Sequence, residues 1–148
     1  ISLAERMPEI DFYHIGKWTD NKGNFDDTFF KYVKSISPKN IKYLGYVKNN
    51  ELYNFFQESK VYTQLSRHEA FGVSLVEAVS YNCIPIVWNS FSLPEVAPED
   101  AFIIDTIPGA VDKTKLALNM DSYQLNNSYL DRFSCENRKK SFKKLLLK

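Results

Sequence analysis

The segment SRHEAFGVSLVEA, residues 66–78, places two glutamates on either side of a glycine. Glu69 precedes Gly72 by three residues, and Glu77 lies about one turn into a helix predicted to begin at Val73. A helix start offers unpaired N–H groups and a partial positive charge to an anion, and glycine lets the backbone approach it. Carboxylates bind hydroxyl groups. A nucleotide sugar carries a diphosphate between two hydroxylated rings, so Glu77 is predicted to hold the ribose and Glu69 the transferred sugar.

Taken alone, this pair of glutamates is a weak signal. The alternative interpretation is that Glu69 is a solvated acid in a loop and that Glu77 is an exposed residue of a helix. His68 either reaches the diphosphate or the sugar, or is simply solvated. Ser66 has no His or Lys base at a recognisable spacing, so we expect it to bond its own loop or the helix start rather than act as a nucleophile. The surrounding elements must decide between these alternatives.

Short β-rich runs alternate with longer helical ones along the chain, which predicts a doubly wound α/β fold with a parallel sheet. Strands are predicted at 10–16, 41–44, 61–65, 84–88 and 101–105. Helices are predicted at about 25–36, 51–59, 73–82, 109–119 and most of 126–147, after the end of another helix at 1–7. Asn82 suits the left-handed position after a helix. Ligands of such sheets bind beyond the carboxyl ends of the strands, where residues 66–72 lie.

The composition is that of one folded domain. The chain has 148 residues, of which 44% are hydrophobic and 15% aromatic, and this argues against disorder. The net charge of +1 does not favour nucleic acid as a partner. The basic charge is concentrated in residues 134–148, which hold six Lys or Arg residues and one acid. The sequence therefore predicts a basic C-terminal helix at about 134–148.

Several other classes of protein are disfavoured. Cys83 and Cys135 stand apart with no CxxC pattern, so neither a zinc site nor a disulfide framework is expected. The glycines are isolated rather than arranged as GxGxxG, which disfavours NAD binding. Asp105 alone does not supply the acidic cluster of a response regulator. No run approaches the ~20 apolar residues of a membrane span, and the start is not a signal peptide, so we expect a cytoplasmic protein.

Blocks along nearly the whole chain resemble the donor-binding, C-terminal half of retaining glycosyltransferases of family 4 (group 1). In order they are MPEIDFYHIG, NIKYLGYV, NNELYNFFQESKVYTQLS, SRHEAFGVSLVEA, YNCIPIVWN, LPEV and AFIID. The resemblance implies a Rossmann-like C-terminal lobe of a GT-B fold. It also implies transfer of a sugar from a nucleotide-diphosphate sugar to an acceptor with retention of configuration and without a cofactor. No Asp-x-Asp pair occurs for a cation, so no metal is expected.

The resemblance also implies roles for the matching residues. Glu69 occupies the position of the first, catalytic glutamate, which contacts hydroxyls of the donor sugar, and Glu77 that of the second, which holds the ribose. The other predicted donor contacts are the backbone N–H groups of Phe71, Gly72, Val73, Ser74 and Leu75, and the main chain of Val47 against the base.

Three departures from the family pattern lead us to expect a different donor-sugar pocket. Leu65 replaces the usual proline before Ser66. The pair at 91–92, Phe and Ser, stands where two glycines often precede the Leu-Pro-Glu turn. Lys17 and Trp18 follow Gly16 where a second glycine is common.

The chain begins in mid-helix without an initiator Met, so residues 1–148 are interpreted as one N-terminally truncated domain. The family's Arg and Lys pair, and the acceptor-binding N-terminal lobe, would precede Ile1, and the piece should bind donor better than it catalyses. The basic C-terminal helix either crosses back onto that lobe or contacts an anionic membrane peripherally. The alternative function is a non-catalytic module that binds nucleotide sugars or scaffolds a partner. Base, sugar and acceptor are left open.

Overall fold

The structure is a computed structural model, and it describes residues 1–19, 24 and 26–146. The helices are α1 (Ser2–Glu5), α2 (Asp27–Ile36), α3 (Asn49–Glu58), α4 (Val73–Ser80), α5 (Leu93–Val96), α6 (Ile107–Asn119), α7 (Asn127–Asp131) and α8 (Cys135–Leu146). The strands are β1 (Phe12–Ile15), β2 (Ile41–Gly45), β3 (Val61–Gln64), β4 (Ile84–Trp88) and β5 (Phe102–Ile104). Helices and strands alternate from α1 to α6, which confirms the predicted α/β class.

The strands pair in parallel, as predicted, but they form two sheets in the described residues. β1 pairs with β2, with Phe12 opposite Ile41. β3, β4 and β5 form the second sheet in that order, with Val61 opposite Ile84. The predicted parallel, doubly wound class is confirmed, and its strands are divided into sheets of two and three. Alternation predicts parallel strands because crossover helices require them, but it does not specify which strand edges meet.

The two sheets nevertheless share one apolar core. Met7, after α1, is buried in a cluster with Ile84 of β4, and Phe12 of β1 and Val61 of β3 pack against the same cluster. Burial of this surface is the main force that holds the sheets together. The helix end predicted at the start of the chain thus has a structural role.

β4 is buried on both of its faces, as its continuous apolar sequence predicts. Ile84 and Ile86 lie in the core cluster beneath α1 and α6. Val87 points to the opposite face and packs with Leu75 of α4 and Leu93 of α5. Because alternate residues of one strand contact helices on opposite faces, the larger sheet is covered on both sides, which is the doubly wound, Rossmann-like arrangement.

Local capping decides several helix ends. α2 begins at Asp27 because Asp26 Oδ1 accepts a hydrogen bond from Phe29 N at 2.9 Å. The predicted start at Phe25 lies outside the described residues. Asn82 has a φ of +62° after α4, and the predicted left-handed helix end is confirmed.

Two other helices begin two residues before their predicted starts. α3 starts at Asn49 rather than Glu51. α6 starts at Ile107 rather than Gly109, because Thr106 is the N-cap and its Oγ1 accepts from Gly109 N at 3.1 Å. These shifts are within the ordinary uncertainty of helix boundaries.

The C-terminal stretch forms two helices, α7 and α8, rather than the single one predicted over most of 126–147. Tyr129 of α7 is buried, and its hydroxyl donates to Val96 O of α5 at 2.9 Å. This contact holds α7 against α5, and the chain turns at 132–134 before α8 begins. No helix in the described part of the chain is both long and apolar enough to span a bilayer.

Candidate functional site

The start of α4 is built on a left-handed glycine. Gly72 is the N-cap of the helix, with φ +91° and ψ +49°, and it is buried. A Cβ at this position would lie 3.4 Å from Leu93 Cδ2, an ordinary packing distance, so it is the backbone conformation that favours glycine. No side chain caps α4, and a helix offers no internal acceptors to the N–H groups of its first residues, here Val73 and Ser74. Two backbone donors are therefore presented at the carboxyl end of β3.

Glu69 lies half-buried in the loop before this helix and faces its start. Its Oε1 accepts hydrogen bonds from Gly72 N at 3.0 Å and from Phe71 N at 3.2 Å. Its Oε2 accepts from Gln64 Nε2 at 2.7 Å. The Phe71 and Gly72 N–H groups that the sequence assigned to a bound donor thus bind the Glu69 carboxylate in this structure.

A partly buried polar chain extends from Glu69 into the sheet, and the sequence patterns did not predict it. Gln64, the last residue of β3, is 8% exposed. Its Oε1 lies 3.2 Å from the Tyr62 hydroxyl, which is 2.9 Å from Ser74 Oγ. Burial raises the pKa of Tyr62 to about 12, so this phenol stays protonated. The available signal was a glutamine at the end of a predicted strand.

Residues 90–92, which follow β4, form hydrogen bonds to the loop that contains Glu69. Ser90 Oγ donates to Arg67 O at 3.0 Å, and Ser92 Oγ donates to Glu69 O at 2.9 Å. Phe91 between them has a φ of +51°, a conformation that L-residues avoid and glycine adopts easily. A glycine would adopt this conformation without strain, whereas Phe91 carries its cost.

His68 is exposed, and its ring centroid lies 4.7 Å from that of Phe91. Phe91 is itself 65% exposed. The two rings form part of the surface beside Glu69, so His68 is placed at the rim of the site rather than within its hydrogen-bonded network.

Glu77 follows Ser74 by three residues on α4, which puts both on one side of the helix. It is half-buried, and its carboxylate forms no hydrogen bond or ion pair with the residues that the structure describes. Leu75 is fully buried, and its N–H bonds to Gly72 O at 3.0 Å. The predicted contact from the Leu75 N–H group is therefore already used within the helix turn, whereas the Glu77 carboxylate is open to a hydroxyl.

Val47 follows the other sheet, in the loop between β2 and α3. A cavity of about 380 Å³ adjoins this loop and is lined by residues 16–18 and 43–46 and by Phe30. Rings of Trp18, Tyr43 and Tyr46 line it. The structure thus joins most predicted site residues around the start of α4 and places Val47 at a separate, aromatic-lined cavity beyond β1 and β2.

The remaining reactive side chains are structural or isolated. Cys83 is buried, and its Sγ lies 3.1 Å from Phe56 O and 3.3 Å from Ser59 O. Burial raises its thiol pKa to about 11, which suits a core thiol. Within residues 1–19, 24 and 26–146, no three His, Cys, Asp or Glu side chains gather as a metal site would require.

The fold and the site together define a Rossmann-like α/β domain in which Glu69 precedes the start of α4 and Glu77 lies on that helix. The family model described as "Glycosyl transferases group 1" matches residues 2–140. The chain belongs to this family, as its resemblance predicted.

Two curated relatives match parts of the chain. One is described as "Uncharacterized 41.2 kDa protein in cps region" of Klebsiella pneumoniae, 34% identical over 116 residues, which cover 76% of this chain and 30% of that protein. The other is "O-antigen chain mannosyltransferase B" of Escherichia coli, 30% identical over 92 residues, which cover 62% of this chain and 24% of that protein. The chain thus spans less than a third of the length of either relative.

Proposed function

We propose that this chain is the donor-binding, C-terminal lobe of a retaining GT-B glycosyltransferase of family 4. It binds a nucleotide-diphosphate sugar and, with an N-terminal lobe that binds the acceptor, transfers the sugar. The observation that carries the proposal is the start of α4, where Gly72 N binds the Glu69 carboxylate. The Val73 and Ser74 donors follow, with Glu77 farther along the same helix. Group 1 membership supports it.

In the proposed complex the diphosphate lies at the N–H groups of Val73 and Ser74, where the helix dipole favours negative charge. The carboxylate of Glu77 accepts the ribose hydroxyls. Glu69 faces the transferred sugar. A carboxylate has about four acceptor sites, and three of those of Glu69 are filled, so Oε2 retains one for a sugar hydroxyl.

The nucleobase lies at the other sheet, against the main chain of Val47. The adjacent cavity of about 380 Å³ supports this placement, because Trp18 and Tyr46 are among its lining residues and aromatic side chains can pack against a heteroaromatic base. The donor then spans both sheets across the carboxyl ends of their strands, the usual ligand position in such folds.

The proposed reaction breaks the bond between the anomeric carbon and the diphosphate oxygen and forms a bond to an acceptor oxygen on the same face. The N–H groups at the start of α4 stabilise the charge on the departing diphosphate. Basic residues of the segment preceding Ile1 are proposed to add to this. No cofactor is required, and no cation is invoked.

The names of the relatives guide the choice of substrates. One relative is named for the cps region and the other as an O-antigen chain mannosyltransferase. We therefore expect a hexose donor, with GDP-mannose tested first, and a growing polysaccharide as acceptor.

The basic helix α8 is proposed to pack on the acceptor lobe, with peripheral membrane contact as the alternative. Phe142 and Leu146 are exposed on it beside its lysines, and Lys140 forms an ion pair with Glu136 at 3.0 Å. Acting on lipid-linked sugars would place the enzyme in the cytoplasm beside the membrane.

Calorimetric titration tests the proposal. The ligands are three series, each a nucleoside diphosphate (GDP, UDP or ADP) and its sugar conjugate. One nucleotide series should bind in the micromolar to millimolar range, and Glu77→Ala should weaken both members of that series by roughly 1–3 kcal/mol, since ribose hydroxyls lose their acceptor. Glu99→Ala, at an exposed acid outside the site, is the matched control. Binding of no nucleotide by the chain or by the intact protein would refute the donor-lobe assignment.

A further inference from the structure

Gln64 uses both ends of its side-chain amide inside the protein. The Nε2 group donates to Glu69 Oε2 at 2.7 Å, while Oε1 faces the Tyr62 hydroxyl at 3.2 Å. The side chain is almost completely buried at the carboxyl end of β3. The Gln64 amide has little freedom to rotate, because turning it would break both its hydrogen bond to Glu69 and its contact with Tyr62.

The proton arrangement of this chain follows from which groups can donate. The carboxylate of Glu69 only accepts, so the NH₂ of Gln64 must face it and Oε1 must face Tyr62. Oε1 also only accepts, so the Tyr62 hydroxyl is the donor in that contact. The same hydroxyl faces Ser74 Oγ as a donor at 2.9 Å, so its single proton is shared between two acceptors. Tyr62 therefore fixes the orientation of the Gln64 amide, and the amide in turn fixes that of the Glu69 carboxylate.

The orientation of the Gln64 amide also determines how the Glu69 carboxylate, which faces the sugar in the proposed complex, is held. Phe71 and Gly72 hold Oε1 through their backbones, and Gln64 alone among the described side chains holds Oε2. The free acceptor position that the proposed function assigns to a sugar hydroxyl is on Oε2. The direction of that position depends on Gln64, because rotation of the carboxylate about its last bond would swing Oε2 away.

We propose that Gln64 is a positioning residue, which fixes the Glu69 carboxylate through Oε2 and thereby sets the affinity for the sugar portion of the donor. The inference rests on the proposed function for its sugar contact and on the structure for the Glu69 contact. It separates the two ends of the donor: Gln64 acts on the sugar and leaves the nucleotide end unaffected.

The binding test uses Gln64→Met, which keeps the length of the side chain but removes its donor. The affinity for the nucleotide sugar should fall about tenfold, as expected for loss of a hydrogen bond to a charged group, while affinity for the sugar-free nucleoside diphosphate stays the same. Tyr62→Phe should act in the same direction with a smaller effect. Gln57→Met, at an exposed glutamine of α3, should change neither affinity.

Amide hydrogen exchange of Phe71 and Gly72, measured without nucleotide, reports on the carboxylate directly. Both amides should exchange several-fold faster in Gln64→Met than in the parent, because the carboxylate that accepts from them loses its hydrogen bond at Oε2. Faster exchange in a chain that binds no nucleotide sugar would support the positioning role and refute the proposed function. Unchanged exchange, or equal weakening of both nucleotides, would overturn the positioning role and leave the donor assignment standing if the parent binds.

Discussion

Ser92 Oγ donates a hydrogen bond to the backbone carbonyl of Glu69, 2.9 Å away, and joins two loops separated by 23 residues in the sequence. The loop after β4 thus holds the residue that carries the proposed sugar contact. Because Ser92 touches the backbone of Glu69 rather than its carboxylate, it positions the loop without competing for a ligand.

Ser92→Ala should reduce stability by roughly 0.5–1.5 kcal/mol, the usual net value of one hydrogen bond. It should also weaken binding of a nucleotide sugar more than binding of the nucleoside diphosphate, since Glu69 faces the sugar. Urea denaturation and calorimetry measure the two effects. Ser122→Ala, at an exposed loop serine, is the control, and equal effects of the two substitutions would contradict this role.

Gly72→Ala should destabilise the protein by about 1–2 kcal/mol, because an L-residue at φ +91° carries the cost of the left-handed conformation. Its Cβ would also contact Leu93 Cδ2 at 3.4 Å. The N–H groups at the start of α4 should shift with it, so nucleoside diphosphate affinity should fall too. A thermal melt and a titration check this; unchanged stability would show that the left-handed conformation of Gly72 is not what the fold requires at the start of α4.

Glu69→Gln tests whether the carboxylate is needed as a full acceptor. The amide keeps the shape of the side chain, but its NH₂ must then face either the Gln64 amide or the N–H groups of Phe71 and Gly72, which are also donors. We expect a loss of roughly 1–3 kcal/mol in the free energy of unfolding. In a double-mutant cycle with Gln64→Met, the two losses should sum to more than the loss in the double variant. Strict additivity would argue that the two side chains do not interact.

His14 provides a pH dependence of stability that does not involve Glu69 or α4. Its Nδ1 is buried without a hydrogen-bond partner in the described residues, and burial lowers its pKa below the usual 6.5. The unfolded chain therefore binds this proton more readily than the folded one. Stability should fall as the pH drops below 6.5 toward the lowered pKa, where the loss is complete.

The His14→Phe variant should lose this part of the pH dependence. Phenylalanine can retain the stacking on Trp18, whose ring centroid is 4.9 Å from that of His14. Urea midpoints at pH 8 and pH 5 give the comparison, with His68→Gln as the control at the exposed histidine. If His14→Phe kept the same difference between the two pH values as the parent, His14 would not be its source.

Tyr129→Phe tests the docking of α7. The Tyr129 hydroxyl donates to Val96 O at 2.9 Å in a buried setting, so its removal leaves an unpaired carbonyl and should lower stability by about 1 kcal/mol. Tyr32→Phe, at an exposed tyrosine of α2, should have no effect. A denaturation curve for each variant is sufficient, and a neutral Tyr129→Phe would show that this contact does not hold α7.

Much of the fold could be predicted because its signals are local. The continuous apolar run at 84–88 predicts a strand buried on both faces, and Asn82 predicts the left-handed end of α4; both are confirmed. The helix start at Val73 is also confirmed, since Gly72 is the N-cap. Each of these features depends on the conformational preferences of a few adjacent residues.

The sequence by itself determined the α/β class, the group 1 family and the place of Glu69 and Glu77 around the start of α4. The tertiary structure decided that the strands form two sheets, that α7 and α8 are separate, and that Gln64 and Ser92 hold the Glu69 loop. Backbone preference and apolar periodicity act over a few residues and are visible in the sequence. Strand neighbours and buried polar contacts join distant segments, and they are fixed only when the whole core packs.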